Sequence, residues 1–227
     1  MYLFWYNIGM SIRKVPFAPG EFYHIYNRGN SKQVIFHDKQ DSDRFLALLY
    51  AVNTKQNVAL RLVFEDMYKF ERGERLVSIG SHCLMSNHFH LLLTEVDEGG
   101  ISKFMQKLTT AYSMYYNKKY IRTGGLFEGK FKSEHAGKDR YLKYLFSYIH
   151  LNPLKIINKN WKTDGIKNKQ KALEFLKNYT YSSYEDYQGV QRPEGAILNR
   201  EAFPDYFPTK QRFTEEIFEW LSFNDES

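Results

Sequence analysis

The chain has 227 residues, of which 43% are hydrophobic, which is enough for a core and excludes a protein that is disordered throughout. No run of about 18 apolar residues occurs, and the start of the chain lacks the pattern of a signal peptide, so no membrane-spanning segment is expected. The single cysteine, Cys83, excludes an internal disulfide and favours a cytoplasmic location, while the net charge of +6 favours an anionic partner.

The hydrophobic pattern predicts strands and helices in turn along the first two thirds of the chain. Strands are predicted at residues 22–27, 59–67, 76–85, 88–94 and 129–135. Helices are predicted from Asp41 or Ser42 to Lys55, from Ile101 to Tyr120 and from Asp139 to Leu151. The last helix should end near Asn152, because Pro153 disfavours the helical conformation in the residue before it.

Without the strand at 59–67 and the last helix, the order of the elements is β-α-β-β-α-β, the pattern of a ferredoxin-like fold. This is an α+β fold with an antiparallel sheet and helices on one face, followed here by a tyrosine-bearing helix. We expect an N-terminal extension at residues 1–20, the ferredoxin-like domain at 21–155 and a C-terminal appendage at 156–227. The appendage is predicted to be partly helical, at 172–176 and 215–221.

The positive charge is concentrated in residues 101–162, which hold 13 basic residues, 3 acidic residues and 12 aromatic residues. Basic side chains attract phosphates and aromatic rings stack on unpaired bases, so this mixture is typical of single-stranded nucleic-acid binding. A solvated basic helix face above core aromatics is the alternative. The candidate phosphate contacts are Arg28, Lys103, Lys107, Lys118, Lys119, Arg122, Lys130, Lys132 and Arg140.

Two histidines flank Phe89 in a predicted strand. Successive side chains of a strand point to opposite faces, so His88 and His90 should project to the same side, where they could bind a metal ion. Two histidines on a solvated strand face are the alternative. His82, on the preceding strand, is a candidate neighbour of the pair.

The helix at 139–151 carries a second candidate group. Tyr148 and Asn152 are four residues apart and therefore lie on the same side of the helix. A phenol beside an amide oxygen could be a nucleophile beside a metal ligand. A tyrosine-rich amphipathic helix that packs on a core is the alternative.

Several motifs in this order resemble one family. They are FYHIYNRG near the start, HCLMSNHFHLLL in the middle, GLFEGKFKSEH after the second helix, and YLFSYIHLNPLK. Together they resemble the REP-associated tyrosine transposases, within the wider class of single-tyrosine HUH transposases. The resemblance covers about residues 21–155.

The resemblance implies a role for each matching residue. His88 and His90 correspond to the metal-binding histidine pair, Tyr148 to the nucleophile and Asn152 to the third metal ligand. It implies a divalent ion, Mg²⁺ or Mn²⁺, and single-stranded DNA with hairpin ends as the partner. The implied reaction is DNA nicking and rejoining through a 5′-phosphotyrosine intermediate. Tyr144, Tyr115 and Tyr116 are rival nucleophiles, and the long C-terminal tail favours a monomer over a homodimer.

The sequence is also compatible with three other functions. A relative that has lost catalysis could still bind DNA or RNA hairpins. An RRM-like RNA-binding domain has the same type of sheet, although histidines stand where stacking aromatics are expected. A hydrolytic Zn²⁺ enzyme would need a third ligand and a general base that the sequence does not indicate.

Overall fold

The structure is a computed structural model and describes residues 16–59 and 67–222. The strands are β1 (Tyr23–Arg28), β2 (Val77–Met85), β3 (His88–Glu95) and β4 (Lys132–His135). The long helices are α1 (Lys39–Ala51), α2 (Gly100–Lys119) and α3 (Asp139–Leu151). The α-helices that follow in the described part of the chain are α4 (Leu154–Ile157), α5 (Trp161–Asp164), α6 (Lys169–Lys177), α7 (Tyr184–Tyr187) and α8 (Lys210–Ser222), the last as long as α1 and α3.

The four strands form one antiparallel sheet in the order β2-β3-β1-β4. Together with α1 and α2 this confirms the predicted α+β, ferredoxin-like arrangement. Residues 60–66 of the predicted strand at 59–67 lie outside the described residues. None of the helices in the described ranges is long and apolar enough to cross a membrane.

Alternation along the strands separates an apolar face from a polar one. Ile25 of β1 and Phe89 and Leu91 of β3 point to the face covered by α1 and α2, where Phe45 and Phe104 complete a buried core. The other face carries the intervening residues, including both histidines of β3. Helix α3 and the C-terminal appendage cover part of this second face.

The C-terminal appendage is joined closely to the sheet. The Leu84 N–H donates to the Tyr181 carbonyl at 2.9 Å, and the Ser183 N–H donates to the His82 carbonyl at 3.0 Å. At the irregularity in β2, a Cβ on Gly80 would lie 2.9 Å from the ring of Phe203, so only glycine allows this approach. The appendage therefore covers the outer edge of β2, which would otherwise present unpaired backbone groups.

Several element boundaries differ from the predictions. Helix α1 begins at Lys39, because the Asp38 carboxylate caps it by accepting from the Asp41 N–H at 3.0 Å. Helix α3 does end at Leu151, but the stated reason was wrong, since Asn152 has helical angles of φ −53° and ψ −38°. Pro153 is tolerated there because it begins the short helix α4 and needs no N–H of its own.

A buried carboxylate ties α1 to α2. Asp41 is fully buried and accepts hydrogen bonds from the Lys119 ammonium (2.7 Å), the Tyr115 and Tyr120 hydroxyls (2.9 and 2.7 Å) and the His37 N–H (2.9 Å). Burial by itself raises the pKa of the Asp41 carboxyl, but these hydrogen bonds outweigh burial and hold its pKa below the usual value. The Lys119 ammonium, on α2, is therefore held by a carboxylate of α1.

We expect Asp41→Ala to lower the free energy of unfolding by about 3–5 kcal/mol, because it leaves the Lys119 ammonium and two hydroxyls without their acceptor. Urea denaturation followed by circular dichroism measures this. Asp43→Ala is the control, since the pair of Asp43 with Lys39 on the same helix is exposed and its loss should cost less than about 1 kcal/mol. Equal losses in the two variants would contradict a special role for the buried cluster.

Candidate active site

The two histidines of β3 lie on the sheet face opposite α1 and α2. Their ring centres are 5.0 Å apart and the rings meet edge to face. In the strand register His88 lies beside Arg28 and His90 beside Tyr26 of β1, whereas Cys83 of β2 flanks His90 on the other side. Because Cys83 shares this face, His82 must point to the opposite one. The suggested closeness of His82 to the pair was therefore wrong.

The Asn87 side chain fixes the orientation of His88. Asn87 Nδ2 donates to the Lys32 carbonyl at 3.1 Å, so its Oδ1 faces His88 Nδ1, at 2.7 Å. An amide oxygen can only accept, so Nδ1 carries the proton and Nε2 keeps a lone pair. Burial, assisted by the charges of Lys155 and Arg28, lowers the pKa of His88 to about 4. The ring is therefore neutral at pH 7, the form that binds metal ions.

Two further groups, the His24 imidazole and the Glu134 carboxylate, lie behind His90. His24 Nε2 is 2.8 Å from His90 Nδ1, and His24 Nδ1 is 3.9 Å from Glu134 Oε2. Glu134 also accepts from the hydroxyls of Tyr26 and Tyr141, both at 3.0 Å. The interaction with His24, followed by these hydroxyls, outweighs burial and lowers the pKa of Glu134 to about 2. A metal-binding imidazole is usually oriented by a hydrogen bond at its other ring nitrogen, and His24 is the group in that position for His90.

The ring of Tyr148, on α3, packs against the imidazoles of His24 and His90. Its ring centre is 5.7 Å from that of His24 and 5.6 Å from that of His90, with edge-to-face geometry in each case. Burial raises the pKa of the Tyr148 hydroxyl above its usual value; the nearby Asn152 acts in the opposite direction. The phenol is therefore protonated at neutral pH and needs activation to act as a nucleophile.

The three rival tyrosines are placed less favourably. Tyr144 stacks on Tyr148 but also contacts Trp220 of α8, at 4.8 Å between ring centres. Tyr115 and Tyr116 belong to α2, on the opposite side of the sheet, where their hydroxyls donate to Asp41 and to the Val34 carbonyl. Of the four, Tyr148 is the tyrosine whose ring the structure places against His90.

Asn152 is fully buried at the end of α3 and joins Tyr148 to a lysine. Its Nδ2 donates to the Tyr148 carbonyl at 3.0 Å, and its Oδ1 accepts from Lys155 Nζ at 3.0 Å. The Lys155 ammonium also lies 5.7 Å from the centre of the Tyr148 ring. The sequence reasoning did not single out Lys155 or His24.

The two imidazoles suit a divalent ion with open coordination positions. His88 and His90 offer imidazole nitrogens, and Asn152 offers an amide oxygen that it shares with Lys155. Within the described ranges no group of three His, Cys, Asp or Glu residues could hold a metal ion, so waters and a phosphate oxygen would complete the shell. Mn²⁺ suits this mixture of nitrogen and oxygen donors, and Mg²⁺ suits it less because it prefers oxygen.

We expect His24→Ala to weaken Mn²⁺ binding by about 10- to 100-fold, because His90 loses the group that orients its ring. Titration of the purified protein with Mn²⁺, followed by electron paramagnetic resonance, measures the dissociation constant without any DNA. His37→Ala is the matched control, since His37 bonds the Tyr116 hydroxyl on the other side of the sheet. Unchanged Mn²⁺ affinity in His24→Ala would show that His24 does not orient a ligand.

The structure separates the nine candidate DNA-binding residues into two groups. Four have partners within the protein: Arg28 pairs with Glu128, Lys107 donates to two carbonyls at 2.7 Å, Lys119 holds Asp38 and Asp41, and Arg122 donates to Gln33 and Gly125. The other five are exposed: Lys103, Lys118, Lys130, Lys132 and Arg140. Their contact with DNA stays a prediction.

A small cavity lined by three basic residues and by Glu128 adjoins His88. Its volume is about 290 Å³ and its lining includes Tyr26, Arg28, Lys32, His88 and Lys132. Lys103 and Lys118, by contrast, belong to α2 on the opposite side of the sheet. The basic residues that line this cavity with His88 are thus on β1, β4 and the turn after β1.

Comparison with known proteins gives two findings. The model of a family described as IS200-like transposases matches residues 21–152, which is more than half of the chain and includes every strand, the histidine pair, Tyr148 and Asn152. A solved structure of a REP-associated tyrosine transposase bound to a REP hairpin is similar at 12% sequence identity and a TM-score of 0.47. That alignment covers 82% of this chain and 90% of the other. No curated protein matches the chain significantly.

Proposed function

The chain belongs to the IS200-like transposase family, and from this premise we propose that it is a metal-dependent single-stranded DNA endonuclease and strand transferase. Its substrate is hairpin-forming DNA, and its intermediate is a 5′-phosphotyrosine at Tyr148. The observation that carries the proposal is the contact of the Tyr148 ring with both His24 and His90. A phenol is thereby held against His90, one of the two proposed metal ligands, and against His24, the imidazole that contacts His90.

In the proposed reaction the Tyr148 oxygen attacks the scissile phosphorus. The new bond joins that oxygen to phosphorus, the bond from phosphorus to the 3′ oxygen breaks, and a free 3′-hydroxyl leaves. The phenol proton passes to solvent and the leaving oxygen takes one from solvent. Because the phosphotyrosine keeps a phosphodiester bond, a 3′-hydroxyl can reverse the step and rejoin a strand.

His88 and His90 would hold Mg²⁺ or Mn²⁺ through their Nε2 atoms, with Asn152 Oδ1 as the third protein ligand. The bound ion supplies Lewis-acid polarisation of the phosphate. Asn87 and His24 keep the two rings in one orientation, so little reorganisation is needed when the substrate arrives. The expected monomeric state stays a prediction, which light scattering tests.

A denaturing gel tests the proposed function. Labelled single-stranded hairpins with randomised flanks are incubated with the protein and Mn²⁺, and a covalent adduct migrates as a labelled protein band. We expect a band that disappears when EDTA replaces Mn²⁺. The incubation is repeated with Mg²⁺. If no hairpin in the library gives a band with either Mn²⁺ or Mg²⁺, the protein is a nucleic-acid-binding relative without catalysis.

We expect the salt dependence of DNA binding to come from the basic residues beside His88. Lys32→Gln together with Lys132→Gln should reduce the slope of log affinity against log salt by about 1.4, since each single-strand phosphate contact contributes about 0.7. Fluorescence anisotropy at several salt concentrations measures the slope. Lys103→Gln with Lys118→Gln removes the same charge from α2 and is the control. A larger change of the slope in the control would place the DNA on the side of the sheet that α1 and α2 cover.

A further inference from the structure

Lys155 stands out among the groups around Tyr148 because of its position. It follows Asn152 and Pro153 in the first turn of α4, and its side chain is partly withdrawn from water. Its Nζ contacts Asn152 Oδ1 at 3.0 Å and lies 5.7 Å from the centre of the Tyr148 ring. Its charge also reaches His88, whose pKa it helps burial to lower. One ammonium thus contacts the proposed metal ligand Asn152 and lies beside the ring of the proposed nucleophile.

The partners of Lys155 are neutral. Among the described residues it makes no ion pair with a carboxylate, whereas Lys143 on α3 pairs with Glu216 at 2.6 Å and Lys119 pairs with Asp38 and Asp41. Withdrawing an ammonium from water costs free energy that an amide oxygen and a ring face offset only in part. The position is therefore suited to a negatively charged group from outside the protein.

We propose that Lys155 is a catalytic residue that binds the scissile phosphate, donating a hydrogen bond to one of its non-bridging oxygens. This inference rests on the proposed function, since a phosphate next to Tyr148 is required for both. An ammonium that is already fixed beside the reacting phosphorus stabilises the charge on these oxygens as the Tyr148 oxygen attacks. Lys155 keeps its proton throughout, so the bonds that form and break are those given above.

A purely structural role for Lys155 makes a different prediction. If Lys155 only positions Asn152 for the metal ion, then Lys155→Met should weaken Mn²⁺ binding. If it binds phosphate, the same variant removes a positive charge from the metal site and releases Asn152 Oδ1, so Mn²⁺ affinity should stay the same or rise. Titration with Mn²⁺ alone distinguishes the two roles without DNA, and weakened Mn²⁺ binding in Lys155→Met would overturn the proposal.

A mutant cycle with modified DNA tests the contact itself. The cleavage position is first mapped from the adduct of the wild-type protein, and an oligonucleotide with an uncharged methylphosphonate at that position is then made. In a Tyr148→Phe background without metal, the modification should weaken binding by about 10-fold or more when Lys155 is present, the size of a hydrogen bond to a charged group. It should have no effect when Lys155→Met is added.

Two further variants complete the test. Lys155→Arg keeps the charge and should retain the sensitivity to methylphosphonate. Lys143→Met removes a lysine that already pairs with Glu216. Added to the Tyr148→Phe background, it should leave the sensitivity to methylphosphonate unchanged. If Lys155→Met remains as sensitive as the background, the proposal fails while the proposed function stands. If the wild-type protein forms no adduct with any hairpin, both fail together.

Discussion

Tyr148→Phe should abolish the covalent protein–DNA adduct while leaving folding and DNA binding nearly unchanged. The ring still packs against His24, His90 and Tyr144, so removal of one oxygen should change the free energy of unfolding by less than about 0.5 kcal/mol. The proposed catalysis has no replacement for the missing atom, because the proposed phosphotyrosine bond is made through it. The denaturing gel measures the adduct, and fluorescence anisotropy measures DNA binding.

Tyr144→Phe is the matched control for this result. It removes the same oxygen one helical turn earlier, from a ring that faces Trp220 of α8. Adduct formation should continue in this variant at close to the wild-type rate. If Tyr144→Phe removed the adduct and Tyr148→Phe did not, the wrong tyrosine has been assigned, although the family membership would be unaffected.

His88→Ala should cause the largest loss of metal binding. It removes one of the two proposed imidazole ligands, so we expect Mn²⁺ affinity to fall by more than about 100-fold, the upper end of what loss of an orienting partner alone causes. Adduct formation should fall with it, whereas metal-free DNA binding should persist. Electron paramagnetic resonance with Mn²⁺ and the gel assay measure the two effects separately.

His135→Ala is the control for the metal measurement. His135 is at the end of β4 and its Nε2 bonds Glu21 at 2.5 Å, so its removal should not affect the ion. If His88→Ala bound Mn²⁺ as tightly as the wild type, the ion would have to bind elsewhere in the chain, and the proposed ligand set would be wrong.

Local patterns were enough to predict the elements that carry the site. The alternation around Phe89 predicted a strand with both histidines on one face, and the apolar spacing after Asp139 predicted α3 with Tyr148 on it. Each of these depends on residues that are close in sequence. The fold class followed from the order of such elements, which is why it could also be predicted.

The remaining parts of the site depend on contacts between distant segments. His24 meets His90 across 66 residues, because β1 and β3 pair in one particular register that no local pattern specifies. Lys155 reaches Asn152 because the chain stays helical through Pro153, contrary to the general tendency of the residue before proline. Composition could not show that Lys107 and Lys119 have internal acceptors, since charge alone does not reveal its partners.

The packing of the C-terminal appendage against α3 has a consequence for synthesis on the ribosome. The apolar side of α3 is buried in a cluster that includes Phe146, Phe213 and Ile217, and the last two belong to α8. A nascent chain that has emerged only as far as α3 therefore lacks the residues that cover this side. We expect the helix that carries Tyr148 to dock firmly on the sheet only after α8 has been synthesised, so that a nascent chain that stops before α8 has not yet assembled the candidate site.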